Sequence, residues 1–451
     1  MLKSITIKNF KSLKETGKID IKPITFFVGP NSSGKSSALQ VLLALRQTLK
    51  SSDEKSPLIL RDYIDLGSFK DIIWNHNEKS ELEFSLEDSS SGKYVIKYRY
   101  PHTGFNAGKI IVKFFEYEGY FPIANTDVTD KKQLQLEDSK IHIQIKWINE
   151  DNYSLTIVEP KYSKIQKITG KLNKISNFSV PKYDFIRSKL PSFENMTKDE
   201  LNAFQAFLLS TISHTQLMKL IFGIVHVGPS RVNPERVYTK SGATPTDVGK
   251  NGEFTVDMLL ASNEKKNIVK KWLYEFDIAS DLRLEELKEG SKRYELILKD
   301  CHTGIWVTIA DVGFGTSQLL PIIVECFNEN NSTVLIEQPE IHLHPKGQAK
   351  MGDLLVDAIT NNSKKALIVE THSDLIISRV CTRIAKGDIL PQDVAIYYFE
   401  PTKKGTEIHT IQVNEDGEMM NFPDGFFEER FKEVIDRNNV IFDREDVNDK
   451  T

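Results

Sequence analysis

Residues 24–37 read ITFFVGPNSSGKSS, and this stretch decides the fold. An apolar run closes at Val28. Gly29-Pro30-Asn31-Ser32-Ser33-Gly34-Lys35-Ser36 then satisfies G-x-x-x-x-G-K-S, Ser37 follows, and Ala38, Leu42, Leu45 and Leu49 recur at helical spacing. Strand, glycine loop and helix in that order are the context that gives the motif meaning. Glycines let the backbone wrap a chain of phosphates, while successive N–H groups and the helix N-terminus supply partial positive charge. Lys35 is expected to reach the β- and γ-phosphates and the Ser36 hydroxyl to ligate Mg²⁺. The motif implies a nucleoside triphosphate site.

Upstream, Leu2 to Phe10 alternates as a half-buried strand should, and Ile19 to Val28 alternates before turning fully apolar. Downstream, from about Asp71 to Lys174, runs such as ELEFSLE, KYVIKYRY and KIHIQIKWI between polar turns predict an antiparallel sheet. A helix is expected between Lys198 and Phe222, leading into a strand that closes at VGPSR (227–231). Residues 253–276 read as helical, 281–309 as two or three strands, and 315–328 as a helix after a glycine turn. STVLIE (332–337) and KALIVE (365–370) have the continuous apolar texture of buried parallel strands, with one helix, about 346–360, between them. Strands at DVAIYYFE and EIHTIQV, a polar helix near 424–438 and a frayed tail complete the chain. No heptad run is long enough for a coiled-coil arm.

At 451 residues the chain can bury a sizeable core without staples. Its 59 Lys+Arg against 63 Asp+Glu give a net charge of -4, which excludes a uniformly basic protein that coats nucleic acid by charge alone. Any basic surface is local. Cys301, Cys326 and Cys381 are too few for a disulfide framework or a four-ligand zinc site and favour a reducing compartment. No run approaches the ~20 apolar residues of a membrane span, and the N-terminus lacks an apolar signal region. A soluble cytoplasmic protein with no membrane association is expected.

A P-loop needs a metal-holding carboxylate at the end of a neighbouring buried strand, and VLIEQPEIHLHP supplies Glu337. It lies so far downstream that one compact AAA+ module is excluded, whereas an ATP-binding-cassette core with insertions is suited. DVGFGTSQLLPII places Gly313, Gly315, Thr316 and Ser317 at a helix N-terminus, where a second phosphate site would form. LIVETHSD places His372 past the next apolar strand, where an imidazole would sense a γ-phosphate.

The order P-loop, signature helix, Walker B, D-loop and switch histidine resembles the ABC-type ATPases of the RecF/SMC/OLD branch. ITIKNFKSLKE at the start, EQPEIHLHP (337–345) and ETHSD (370–374) look like that branch's first strand, Walker B and switch segments. HVGPSRVNPERVY (226–238), DVGKNGE (247–253) and FPDGFFEERF (422–431) are similar to motifs of a subset of its bacterial members. The resemblance implies an α/β ABC-ATPase head with an inserted antiparallel β-rich lobe and a helical segment. It divides the chain into an N-terminal ATPase part (1–75), the β-rich insertion (76–196), a helical lobe segment (197–280), a C-terminal ATPase part (281–400) and an extension (401–451).

The resemblance also implies ATP and Mg²⁺ as ligands, and ATP sites shared between subunits of a homodimer or higher homo-oligomer. Gly315 and Ser317 of one copy would contact the γ-phosphate bound at Lys35 of another. His342 and His344 would lie in the subunit contact and not form a metal pair. Lys11 is a minor candidate near the nucleotide; Arg231 and Arg236 would either pair with phosphate or a partner, or anchor their turn on carboxylates. One departure stands out: the branch's Asp-Glu pair, metal ligand and general base, is here Glu337-Gln338. An amide accepts no proton, and a missing base commonly forfeits ~10² to 10⁴ in rate. Either Glu340 substitutes, or Gln338 only orients water and the protein is a slow switch that lingers with ATP bound.

Two functions compete. One is an ATP-dependent sensor or regulator that controls a separate effector protein, such as a nuclease, in bacterial anti-phage defence, as do the ATPase subunits of the PARIS and Septu systems. The other is a RecF-like genome-maintenance ATPase that clamps double-stranded DNA, with steep salt dependence. A self-contained OLD nuclease is disfavoured, because the residues after His372 lack the clustered D-x-D of a Toprim domain.

Overall fold

The apolar run before the glycine loop forms β4 (Ile24–Val28), buried at every position. The computed structural model describes residues 1–53, 56–104, 106–124, 136–149, 152–159, 164–170, 213–240, 242, 244–421 and 423. β1 (Leu2–Phe10), β2 (Leu13–Glu15) and β3 (Ile19–Asp20) precede β4, and α1 (Lys35–Lys50) follows the loop. β5 (Leu82–Asp88), β6 (Lys93–Arg99), β7 (Ile111–Ala124), β8 (Leu136–Asn149), β9 (Asn152–Glu159) and β10 (Lys164–Gly170) come next. A helix over 213–222 enters β11 (Ile224–Val227). Then come β12 (Tyr238–Thr239), α2 (Thr255–Ala261), α3 (Asn263–Glu275), β13 (Ala279–Glu286), β14 (Arg293–Asp300) and β15 (Trp306–Thr308). The last part holds α4 (Phe314–Cys326), β16 (Thr333–Glu337), α5 (Pro345–Thr360), β17 (Ala366–Glu370), α6 (Asp374–Ala385), β18 (Val394–Thr402), β19 (Gly405–Val413) and β20 (Met419–Met420).

A seven-stranded sheet runs β11-β16-β17-β4-β18-β19-β20. From β11 to β18 its neighbours are parallel, and β19 returns antiparallel. Parallel strands buried on both faces explain the unbroken apolar runs. Their side chains alternate between two cores: Phe27, Leu335 and Ile368 face one that contains α1, while Phe26, Ile336 and Val369 face another that contains α2 to α6.

A nine-stranded antiparallel sheet runs β10-β9-β8-β7-β6-β5-β1-β2, with β3 also on β1. Because β1 pairs with β5, the first strand and the β-rich insert share one sheet, so a boundary at residue 75 falls inside it. Phe10, Phe84 and Tyr98 meet edge to face across these strands and hold the junction. A smaller sheet holds β12 to β15.

The helical stretch 253–276 is broken at Ser262, whose extended backbone lets its hydroxyl cap α3 by accepting from Lys265 N–H. The part of the expected 198–222 helix before 213, and the helix expected near 424–438, lie outside the described residues. Among the described residues there is no long coiled coil, and no helix is long and apolar enough to cross a membrane.

Candidate active site

Between β4 and α1 the chain turns through three left-handed residues: Gly29 (φ 138°), Ser32 (φ 60°) and Gly34 (φ 101°). Gly29 packs so close to β18 that a Cβ there would lie 2.4 Å from the Phe399 carbonyl oxygen, which requires glycine. β19 braces the loop from the side: Thr406 Oγ1 donates to the Ser33 carbonyl at 2.7 Å, and Thr406 N–H donates to the Ser12 carbonyl at 2.9 Å. Lys35 Nζ donates to the carbonyls of Gly29 (2.9 Å) and Pro30 (2.8 Å). A cavity of about 430 Å³ opens over the loop from Asn31 to Ser37 and is closed by Lys11, Gln40, Gln338, Glu370 and His372. Lys11 Nζ donates to Gln40 Oε1 at 2.7 Å, at the edge of that cavity.

The acidic end of the sheet corrects one expectation. β17, not β16, is the strand beside β4, so the neighbouring carboxylate is Glu370 and not Glu337. Ser36 Oγ donates to Glu370 Oε1 at 2.8 Å. Glu370 Oε2 is buried with no partner. Glu337 lies in register with Glu370 on the next strand; it accepts from His226 Nε2 at 2.7 Å, and its carbonyl accepts from Arg231 Nη2 at 2.8 Å. Burial, with Glu337 close by, pushes the Glu370 carboxyl up to about 7. A hydroxyl and two carboxylates at one sheet end, one oxygen buried and unbonded, are a donor set that suits a hard divalent cation.

The switch segment is tied to the same end. Glu340 accepts from Thr371 Oγ1 and from His372 N–H, each at 2.7 Å, so both its oxygens hold the segment that carries the histidine. Burial first, and the Lys35 charge second, lower the His372 imidazole. Gln338 has φ 47° and donates its N–H to the Glu370 carbonyl at 2.7 Å.

Residues 1–220 and 247–377 match the AAA ATPase domain family. The chain belongs to that family. It is an ATPase. Residues 389–436 of this ATPase also match DUF3696, a family described as proteins of unknown function. No curated protein matches the chain. Among solved structures it is similar to the SMC head domain from Thermotoga maritima, at 10% identity and a TM-score of 0.38, covering 91% of this chain and 99% of that one. It is also similar to an Smc head bound to the C-winged helix domain of ScpA, at 12% identity and a TM-score of 0.41, covering 91% of this chain and 98% of that one. These likenesses are of broad outline only.

In the ATPase, the turn at Gly313 starts α4 as the glycine pattern implies, but it stands apart from the P-loop cavity. Gly315 packs on the segment that follows β16, where a Cβ would come within 2.5 Å of the His342 carbonyl oxygen. Ser317 lines a separate cavity with Tyr238 and Pro321. Arg236 resolves to an anchor, its two Nη atoms on the Asp311 carboxylate at 2.8 and 2.6 Å. His344 caps α5 by accepting from Lys346 N–H at 3.4 Å. Among the described residues, potential metal-binding side chains gather in a group of three only at Glu400, Glu407 and His409, on the β18–β19 hairpin. The structure adds Glu370 and His226 to the residues singled out by sequence: Glu370 carries a usable signal, an acid ending a buried strand, whereas His226 is marked in the sequence only as the first residue of HVGPSRVNPERVY.

Proposed function

We propose that this ATPase is a slow, nucleotide-gated switch. ATP with Mg²⁺ on Gly29 to Ser37 draws two or more copies together, and the assembled form controls a separate effector protein, such as a nuclease, in bacterial anti-phage defence. The observation that carries this reading is the division of the site. The loop, Glu370 and His372 meet in one cavity, whereas Gly315 and Ser317 stand outside it, where the turn of a second copy can supply them. Ser36, Glu370 and Glu337 would hold the cation, which supplies charge to neutralise the β- and γ-phosphates. Slow turnover is supported by Gln338 in the place of a general base and by the engagement of both Glu340 oxygens. The defence role is supported by the resemblance of the motifs alone.

The test is light scattering with a non-hydrolysable ATP analogue. The wild-type chain is expected to assemble on saturation, and Lys35→Ala to lose nucleotide binding and assembly together. A chain that binds the analogue and remains monomeric overturns the switch. Nucleotide-dependent, salt-sensitive binding to duplex DNA, with no influence on a nuclease encoded beside it, favours genome maintenance instead.

A further inference from the structure

The two polar ends of the segment HVGPSR (226–231) both reach Glu337. We infer that His226 and Arg231 are positioning residues for ATP hydrolysis, which fix the Glu337 carboxylate and the Glu337–Gln338 peptide in the geometry that cation and water require. The inference rests on the nucleotide site proposed above and assigns it two further residues.

His226 is on β11, the edge strand beside β16, and is 4% exposed. Its Nε2–H selects one rotamer of Glu337 by donating to Oε1. Arg231, past the turn, is 6% exposed and donates only through Nη2, to the Glu337 carbonyl. The same peptide unit is held at its other end, where Gln338 N–H donates to the Glu370 carbonyl. One peptide plane is thus gripped by Arg231 on its oxygen and by β17 on its hydrogen. It needs that grip, since a non-glycine residue at φ 47° is sparsely populated and persists only when its surroundings over-determine it.

Arg231 is unlike Arg236 and Arg379. Arg236 saturates Asp311, and Arg379 grips Asp353 with Nε and Nη2. Arg231 Nε and Nη1 are buried with no protein partner. A buried cation left so poorly bonded is costly to keep for packing alone. The nearby acids Glu340 and Glu337 offset part of that cost. The segment itself is braced independently of the P-loop: Gly228 N–H donates to the Lys250 carbonyl and Val232 N–H to the Asn251 carbonyl, each at 2.8 Å. The Tyr63 ring meets His226 edge-on with centroids 6.0 Å apart. Such outer supports of a metal-binding carboxylate set its orientation, and their removal typically costs 10- to 100-fold.

The experiment uses the full-length chain with Arg231→Met, Arg231→Lys, His226→Phe and His226→Gln. It reads kcat, KM, affinity for a non-hydrolysable ATP analogue, the Mg²⁺ concentration needed for half-maximal analogue binding, and melting temperature. Arg231→Met is expected to lower kcat by ~10- to 100-fold while KM moves less than ~3-fold and melting is unchanged; Arg231→Lys recovers part of the loss. His226→Phe is expected to raise the Mg²⁺ requirement by ~10-fold, and His226→Gln, which keeps a donor, to restore it. Wild-type kcat and Mg²⁺ dependence in both Arg231→Met and His226→Phe overturn the inference. So do parallel losses of kcat, analogue binding and melting temperature that the Lys and Gln variants do not rescue. Lys35→Ala separates the two claims: if it binds the analogue normally, the proposed nucleotide site itself is wrong; if it does not, and the other variants behave as wild type, only the positioning role falls.

Discussion

On the proposed mechanism, two residues at the sheet's acidic end act in opposite directions: Glu370 sets a carboxyl group beside Ser36, and Gln338 sets an amide where a proton acceptor is wanted. Glu370→Gln keeps an oxygen to accept from Ser36 but removes a carboxylate from the cation's donors. Its turnover is expected to fall ~10- to 100-fold, with a raised Mg²⁺ requirement in a steady-state assay. Gln338→Glu supplies a carboxylate in the same cavity and is expected to raise kcat by ~10-fold or more, while shortening the life of the assembled form in a dilution experiment. A Gln338→Glu enzyme no faster than wild type would mean that the slow step is not proton acceptance.

At the scale of elements, α4 ends on an unusual cap. Lys365, fully within the core, donates to the carbonyls of Glu325 (3.1 Å), Cys326 (2.8 Å) and Asn328 (2.7 Å), which close the helix that begins at the glycine turn. Lys365→Met removes the donor and leaves these carbonyls buried, and should destabilise the protein by roughly 3 kcal/mol, read as a lower urea midpoint. Elements such as β4, α1, β16 and β17 were legible because glycine punctuation and apolar runs are local signals. Their lateral order was not. VLIE and ALIVE each announce a buried strand ending in an acid, but nothing in either run says which one lies against β4. Only the fold puts Glu370 on the strand beside the loop and Glu337 one strand further out. The break at Ser262 escaped for a related reason: the apolar period continues across it, and only the hydroxyl that caps α3 betrays the new start. The sequence marks His226 only as the start of a motif, since its partner is a carboxylate that two strands of the fold must bring to it.

Across the whole molecule, the nucleotide loop is held by parts of the chain very distant from it. Ser36 bonds a residue 334 positions away, and Ser33 one 373 positions away. Refolding should therefore recover analogue binding only in its last phase, together with exchange protection of β18 and β19, because contacts of such separation form late. Recovery of binding before that protection would show the brace to be dispensable. The same brace sets a clock on biosynthesis. At ~5–20 residues per second, roughly 20 to 75 seconds pass between the emergence of Ser33 and that of Thr406. During that interval the glycine loop exists without its scaffold, so an unfinished or stalled polypeptide carries the motif but not the switch.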